Sequence, residues 1–245
     1  MNIYTPEKLA QIQQELPYLT EIYNWTKEFL AAPHPELGRS GAVCPFVPKA
    51  LSLNAIRFTV VRTQGLSLQQ IEEQVSCYRD LFLSYSDKAD KLSVFNAMML
   101  IFPDVSADAA DGVIDIIQEK LKPFFIEVGL MIGEFHPFNQ TPGLHNPDFR
   151  PLRSPIPMLA IRYLHESDLP FLNRPSDSPQ RRIQYLEAYL KQAETWVDNN
   201  PNQLKAAQNS LAFAKSELHA VDIPVSIPQP ASLPSRCPFK KLFGR

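Results

Sequence analysis

The chain has 245 residues, of which 44% are hydrophobic and 20% charged, with a formal net charge of −2. That length suits one large domain or two small ones, and the charge balance excludes the basic footprint of a nucleic-acid-binding protein. No apolar run approaches the ~20 residues of a membrane span. The opening MNIYTPEKLAQ lacks the basic-then-apolar pattern of a secretory signal. Three scattered cysteines argue against a disulfide framework and for a reducing cytoplasm.

In chain order, residues 5–32 read as helix. Thr5 is a candidate N-cap and Pro6 a first helical residue. Leu9, Ile12, Leu16, Leu19, Tyr23 and Phe29 form a stripe near period 3.6, and Pro17 is expected to kink or split it. Residues 33–54 read as a Pro-rich loop containing Cys44-Pro45. Residues 55–62 (AIRFTVVR) read as a strand, 67–84 as a helix capped by Ser67, 94–102 (VFNAMMLIF) as a second strand, and 106–121 as a helix. Residues 130–136 and 156–164 read as the third and fourth strands, and 179–196 and 201–221 as two amphipathic helices.

The expected fold is therefore α+β: one roughly four-stranded sheet in the order βαβαββ with flanking helices, forming a single domain over residues 1–222. Residues 223–245 carry five prolines and read as an extended, flexible tail.

Strand alternation places few polar groups on otherwise apolar faces. Arg57, Asn96 and Arg162 each stand out in a strand, and Glu134 and His136 share a face with Cα atoms roughly 6–7 Å apart. Two arrangements fit. In one the charges pair as a structural network or line a solvated face, because isolated buried charges are costly. In the other, Arg57, Asn96, Glu134, His136 and Arg162 converge, with Glu134 and His136 as catalytic acid–base groups. The loop between the last two strands adds His145, Arg150 and Arg153. The arginines there and at Arg57 and Arg162 would hold a small anionic molecule, a carboxylate or phosphate.

Cys44-Pro45 is the short pattern of a haem thiolate ligand, so haem or iron is a candidate cofactor, with Cys44, His136 and His145 as candidate ligands. Zinc has less support, since CxxC and HExxH are absent. GxGxxG, GxxxxGK[ST] and GxSxG are absent too, which weakens nucleotide-binding and hydrolase readings.

The stretches HPELGRSGAVCPFVP (34–48) and GEFHP…FRPLRSPIPMLAIRYL (133–164) resemble an uncharacterised bacterial family, a domain of unknown function, over residues 30–172. The resemblance implies a bacterial cytoplasmic protein linked to specialised metabolism and supplies no catalytic residues. Three functional expectations stand: a soluble small-molecule enzyme or binding protein with an Arg-lined anion pocket; a haem- or metal-binding redox protein using Cys44 or His136; and an interaction protein docking through residues 236–245, where basic and aromatic residues interleave.

Overall fold

A computed structural model describes residues 3–11, 17–86, 90–196 and 200–220. The tail expected at 223–245, with its docking segment at 236–245, lies outside the described residues. The chain forms two compact units. The first holds the chain up to Leu121 and Met131–Tyr163; the second holds Lys122–Leu130 and the chain from Leu164 onward.

The first unit is built on a mixed sheet. Its strands are β1 (Ile3–Tyr4), β2 (Ile56–Val60), β3 (Ala97–Ile101), β4 (Leu130–Phe135) and β5 (Met158–Tyr163), in the spatial order β1-β2-β3-β5-β4. The α+β class is as expected, with five strands instead of four. The added strand, β1, is too short to carry a period-2 signal. β2 and β3 are parallel, whereas β1 pairs antiparallel with β2 and β5 antiparallel with β3. Leu164 N donates to Gly129 O at 2.9 Å, joining the end of β5 to the start of β4 as antiparallel neighbours require. β4 therefore runs in the same direction as β2 and β3, and the three end along one carboxyl edge.

One sheet face carries Ile56, Phe58, Met99, Ile101 and Met158. It is covered by Leu19 and Ile22 of α2 (Pro17–Trp25), by Val47 and Ala50 of α3 (Val47–Ser52), and by Leu37 and Val43 of the Pro-rich loop. That loop therefore has a fold of its own: a 3-10 turn at Pro35–Leu37 and then α3. The predicted first helix is split as Pro17 suggested, with α1 (Pro6–Gln11) ahead of α2. A π-helical turn, Thr26–Leu30, extends α2.

The opposite face meets α4 (Leu68–Tyr85), where Tyr78 Oη lies 3.4 Å from Thr59 Oγ1. Ser67 and Gln70 close a reciprocal capping box at the start of α4. A π turn, Asp111–Asp115, leads into α5 (Ile116–Glu127), whose Gln118 donates to Ile132 O at 3.0 Å.

In the second unit, α6 (Leu169–Leu172) precedes the packed pair α7 (Pro179–Ala193) and α8 (Pro201–Ala220). Tyr185, Leu186 and Tyr189 of α7 are fully buried, and Arg182 pairs with Glu217. His165 and Asp168 cap a 3-10 turn at Glu166–Asp168.

Candidate functional site

The expected polar row divides into two places. Arg57 pairs across the ladder with Met98, and Met98 with Ile161, whereas Arg162 pairs with Ala97. Cross-strand partners share a face and neighbours along a strand alternate. Arg57 and Arg162 therefore point to opposite faces and do not converge. Both lie where β2 and β3 begin. The carboxyl edge at Ile101 and Met158 is four residues further, ~13 Å away. Arg57 donates to Asn54 O at 2.6 Å, and its guanidinium lies 6.0 Å from the Tyr85 ring. Arg162 lies 5.4 Å from the Phe46 ring. Asn96 caps a 3-10 turn just before β3 and donates to Ser86 Oγ at 2.7 Å.

Glu134 and His136 stand instead at the carboxyl edge, at the end of β4. Both are buried, and His136 is only 2% exposed. His136 Nε2 lies 3.2 Å from Asp115 Oδ1 and 3.3 Å from Oδ2. Asp115 is the last residue of the π turn before α5, and its side chain is 43% exposed. A π turn adds a residue to the helical cycle and turns the side chains that follow, and such turns recur at functional sites. Burial pushes the Asp115 carboxyl up; His136 pulls it back and Asp111 adds to the rise, leaving it above the ordinary carboxylate value. His136 Nδ1 is buried with no hydrogen-bond partner among the described residues.

The loop after β4 folds back onto this point. His136 N donates to Leu152 O at 3.3 Å, Asn139 N donates to His136 O, and Thr141 Oγ1 donates to Glu134 Oε1 at 3.4 Å. Arg153 donates through Nε to Asn139 O at 3.1 Å and reaches Gln140 Oε1 at 3.4 Å. Of the four arginines expected to hold an anion, Arg153 is the one brought beside His136. Arg150 is turned onto its own loop, donating to Pro147 O and Phe149 O.

His145 is exposed and lies at the tip of that loop. Its backbone oxygen would be 2.7 Å from a Cβ placed at Gly38, whose φ is +76°, so any side chain at 38 would collide there. Asn146 donates to Glu36 O at 2.8 Å, and His34 stacks on Phe149 at 4.6 Å. The two Pro-rich loops thus brace each other.

Cys44 is a half-buried free thiol on the core of the opposite sheet face. Among the described residues no three His, Cys, Asp or Glu side chains are grouped closely enough to hold a metal ion, so Cys44, His136 and His145 are not assembled as a ligand set. No described helix is long and apolar enough to cross a membrane.

Sequence reasoning missed Asp115, Asn139 and Thr141. Nothing in the run DGVIDIIQ marks where a helix takes a π turn, so Asp115 reads as an ordinary surface residue beside the apolar stripe. Asn139 and Thr141 are positioned by a fold-back that no local pattern encodes.

A second pair of ionisable groups stands further along the same edge. Asp104, just after β3, accepts from Arg62 Nη1 at 2.8 Å and Thr63 N at 3.0 Å. Burial pushes Asp104 up, but the Thr63 N–H and the Arg62 guanidinium outweigh it and hold the carboxyl below its ordinary value. A carboxyl with a depressed folded value stabilises the protein above the unfolded value and loses that contribution as pH falls through the folded one. Wild type should therefore lose stability relative to Asp104→Asn as pH drops from 5 to 2. Urea midpoints across that range check it.

Taken together, the fold and the site define an α+β protein with helices on both faces of a mixed sheet and a buried imidazole paired with a half-exposed carboxylate at its carboxyl edge. The chain belongs to the family described as Domain of unknown function (DUF6875), which it matches over residues 19–204. No curated protein and no solved structure matches the chain.

Proposed function

We propose that this protein is a small-molecule enzyme or binding protein whose site is the carboxyl edge of the sheet around β4, with an acid–base centre built from His136, Asp115 and Glu134 and with Arg153 receiving an anionic group. The observation that carries this reading is His136: a fully buried imidazole whose Nε2 hydrogen-bonds Oδ2 of a half-exposed carboxylate at 3.3 Å. A purely structural pair would gain little from a carboxylate left partly in water, whereas proton transfer needs one end of the pair open to the ligand. The carboxyl edge is also where open sheets with parallel strands commonly bind ligands.

Arg153 supports the anionic class, since its exposed guanidinium can present a fork to a carboxylate or phosphate while Nε stays on Asn139 O. A thermal-stability screen of carboxylates and phosphates tests the proposal. A compound that raises the wild-type melting temperature should lose about tenfold in affinity in Arg153→Ala and keep it in Arg162→Ala, roughly 1.4 kcal/mol for the lost contact. Equal losses in both variants, or in neither, would count against this site.

A further inference from the structure

The pair at the carboxyl edge is asymmetric in a way that assigns separate roles to its members. The His136 side chain is 3% exposed and that of Asp115 is 43% exposed. A ligand arriving from solvent therefore meets the carboxyl before the imidazole. Glu134 lies two residues back on the same side of β4, is buried, and accepts from Thr141. Of the three ionisable groups here, Asp115 alone combines exposure with a fixed buried partner.

We infer that Asp115 is the group that exchanges a proton with the ligand, and that His136 is the positioning residue behind it. This rests on the proposed function, because it takes the carboxyl edge as the ligand site, and it names the ligand's complementary group: a carboxylate or phosphate oxygen that accepts a proton or hydrogen bond from Asp115. In the transfer direction the Asp115 O–H bond breaks and the proton passes to the ligand oxygen. The carboxylate left behind is held by Nε2–H of His136 and regains its proton from water.

The placement also explains how an acidic residue can sit beside an anion. Two ionised oxyanions would repel, whereas a protonated Asp115 donates. The titratable groups that bear on Asp115 are His136, at the end of β4, and Asp111 from its own turn. Its raised value, set by burial first, keeps the donating form present at higher pH than an exposed aspartate would allow.

The experiment pairs a titration with binding. The Asp115 carboxyl carbon is followed by ¹³C NMR from pH 3 to 9 in wild type and His136→Gln, and the His136 ring by ¹⁵N. Inorganic phosphate and the best carboxylate from the screen are then titrated into wild type, Asp115→Asn, Asp115→Glu and His136→Gln at each pH. Asp115 should titrate above the ordinary carboxylate value and rise further in His136→Gln. Wild-type affinity for the carboxylate should fall about tenfold as pH rises through that titration. Asp115→Asn should abolish the pH dependence, and Asp115→Glu should retain part of it. An Asp115 that titrates at the ordinary value and ignores His136→Gln overturns the assignment. So does a ligand whose pH dependence survives Asp115→Asn but not His136→Gln, a result that leaves the site itself standing. If no anion binds at any pH, both the site and this assignment fall.

Discussion

Phe58→Ala is expected to cost about 3–5 kcal/mol, the largest loss from a single substitution in the first unit. Phe58 is fully buried near the middle of β2, between β1 and β3. Its ring meets Tyr23 of α2 edge-on, with centroids 6.0 Å apart and planes at 88°. Truncation removes that aromatic contact and opens a cavity between sheet and helix that a five-residue strand paired on both sides cannot close by shifting. The same helix leads into the π turn Thr26–Leu30, where Trp25 and Phe29 stack at 5.6 Å and Trp25 meets Phe135 at 5.9 Å. Phe135 is the residue before His136, so loosening α2 should also loosen the end of β4. Urea unfolding gives the stability loss. Amide exchange at Phe135 and His136 that rises more than at α4 checks the second part.

Lys122→Ala is expected to cost about 3 kcal/mol, read from urea unfolding of the second unit's helices. Lys122 is 6% exposed, which is rare for lysine. Its ammonium donates to Phe171 O at 2.9 Å, in the last turn of α6, and lies 4.8 Å over the ring of Tyr185 on α7. The charge therefore ties the Lys122 segment to α6 and α7 within the second unit by a hydrogen bond and a cation–π contact. Lys122→Met keeps the apolar stem and loses only the ammonium, so it should cost clearly less than alanine. Equal losses in the two variants would mean that the charge alone, not the stem, holds this corner.

Much of the fold follows from local patterns. The Ser67 cap and the stripe Ile71, Val75, Tyr78 and Phe82 gave α4 to within a residue or two. β2, β4 and β5 fell inside their predicted runs, because buried strands here are short and β-branched or aromatic. The run 94–102 was read too long at its start: Lys91–Phe95 is a 3-10 turn, and Asn96 stands outside the strand. A 3-10 turn just before a strand leaves no break in hydrophobicity to find. The loop 33–54 likewise hides α3, whose six residues are too few to show a helical period.

The site was legible where it depended on one strand and illegible where it depended on register. Period 2 places Glu134 and His136 together within β4. The faces of Arg57 and Arg162 relative to each other depend on pairing across β3, and that information is not local. The insertion of β5 between β3 and β4 moves Arg57 three strand spacings from His136, ~14 Å across the sheet. The convergence of five polar residues assumed neighbours that the topology separates.

The most direct test of the central claim is a map of where a bound anion acts. Backbone and side-chain NMR shifts would be recorded while titrating phosphate and the best carboxylate from the stability screen. The account predicts shifts at Asp115, Glu134, His136, Asn139 and Arg153, along the carboxyl edge. Shifts confined to Arg57, Asn96 and Arg162 would place binding at the opposite end of the strands and contradict it.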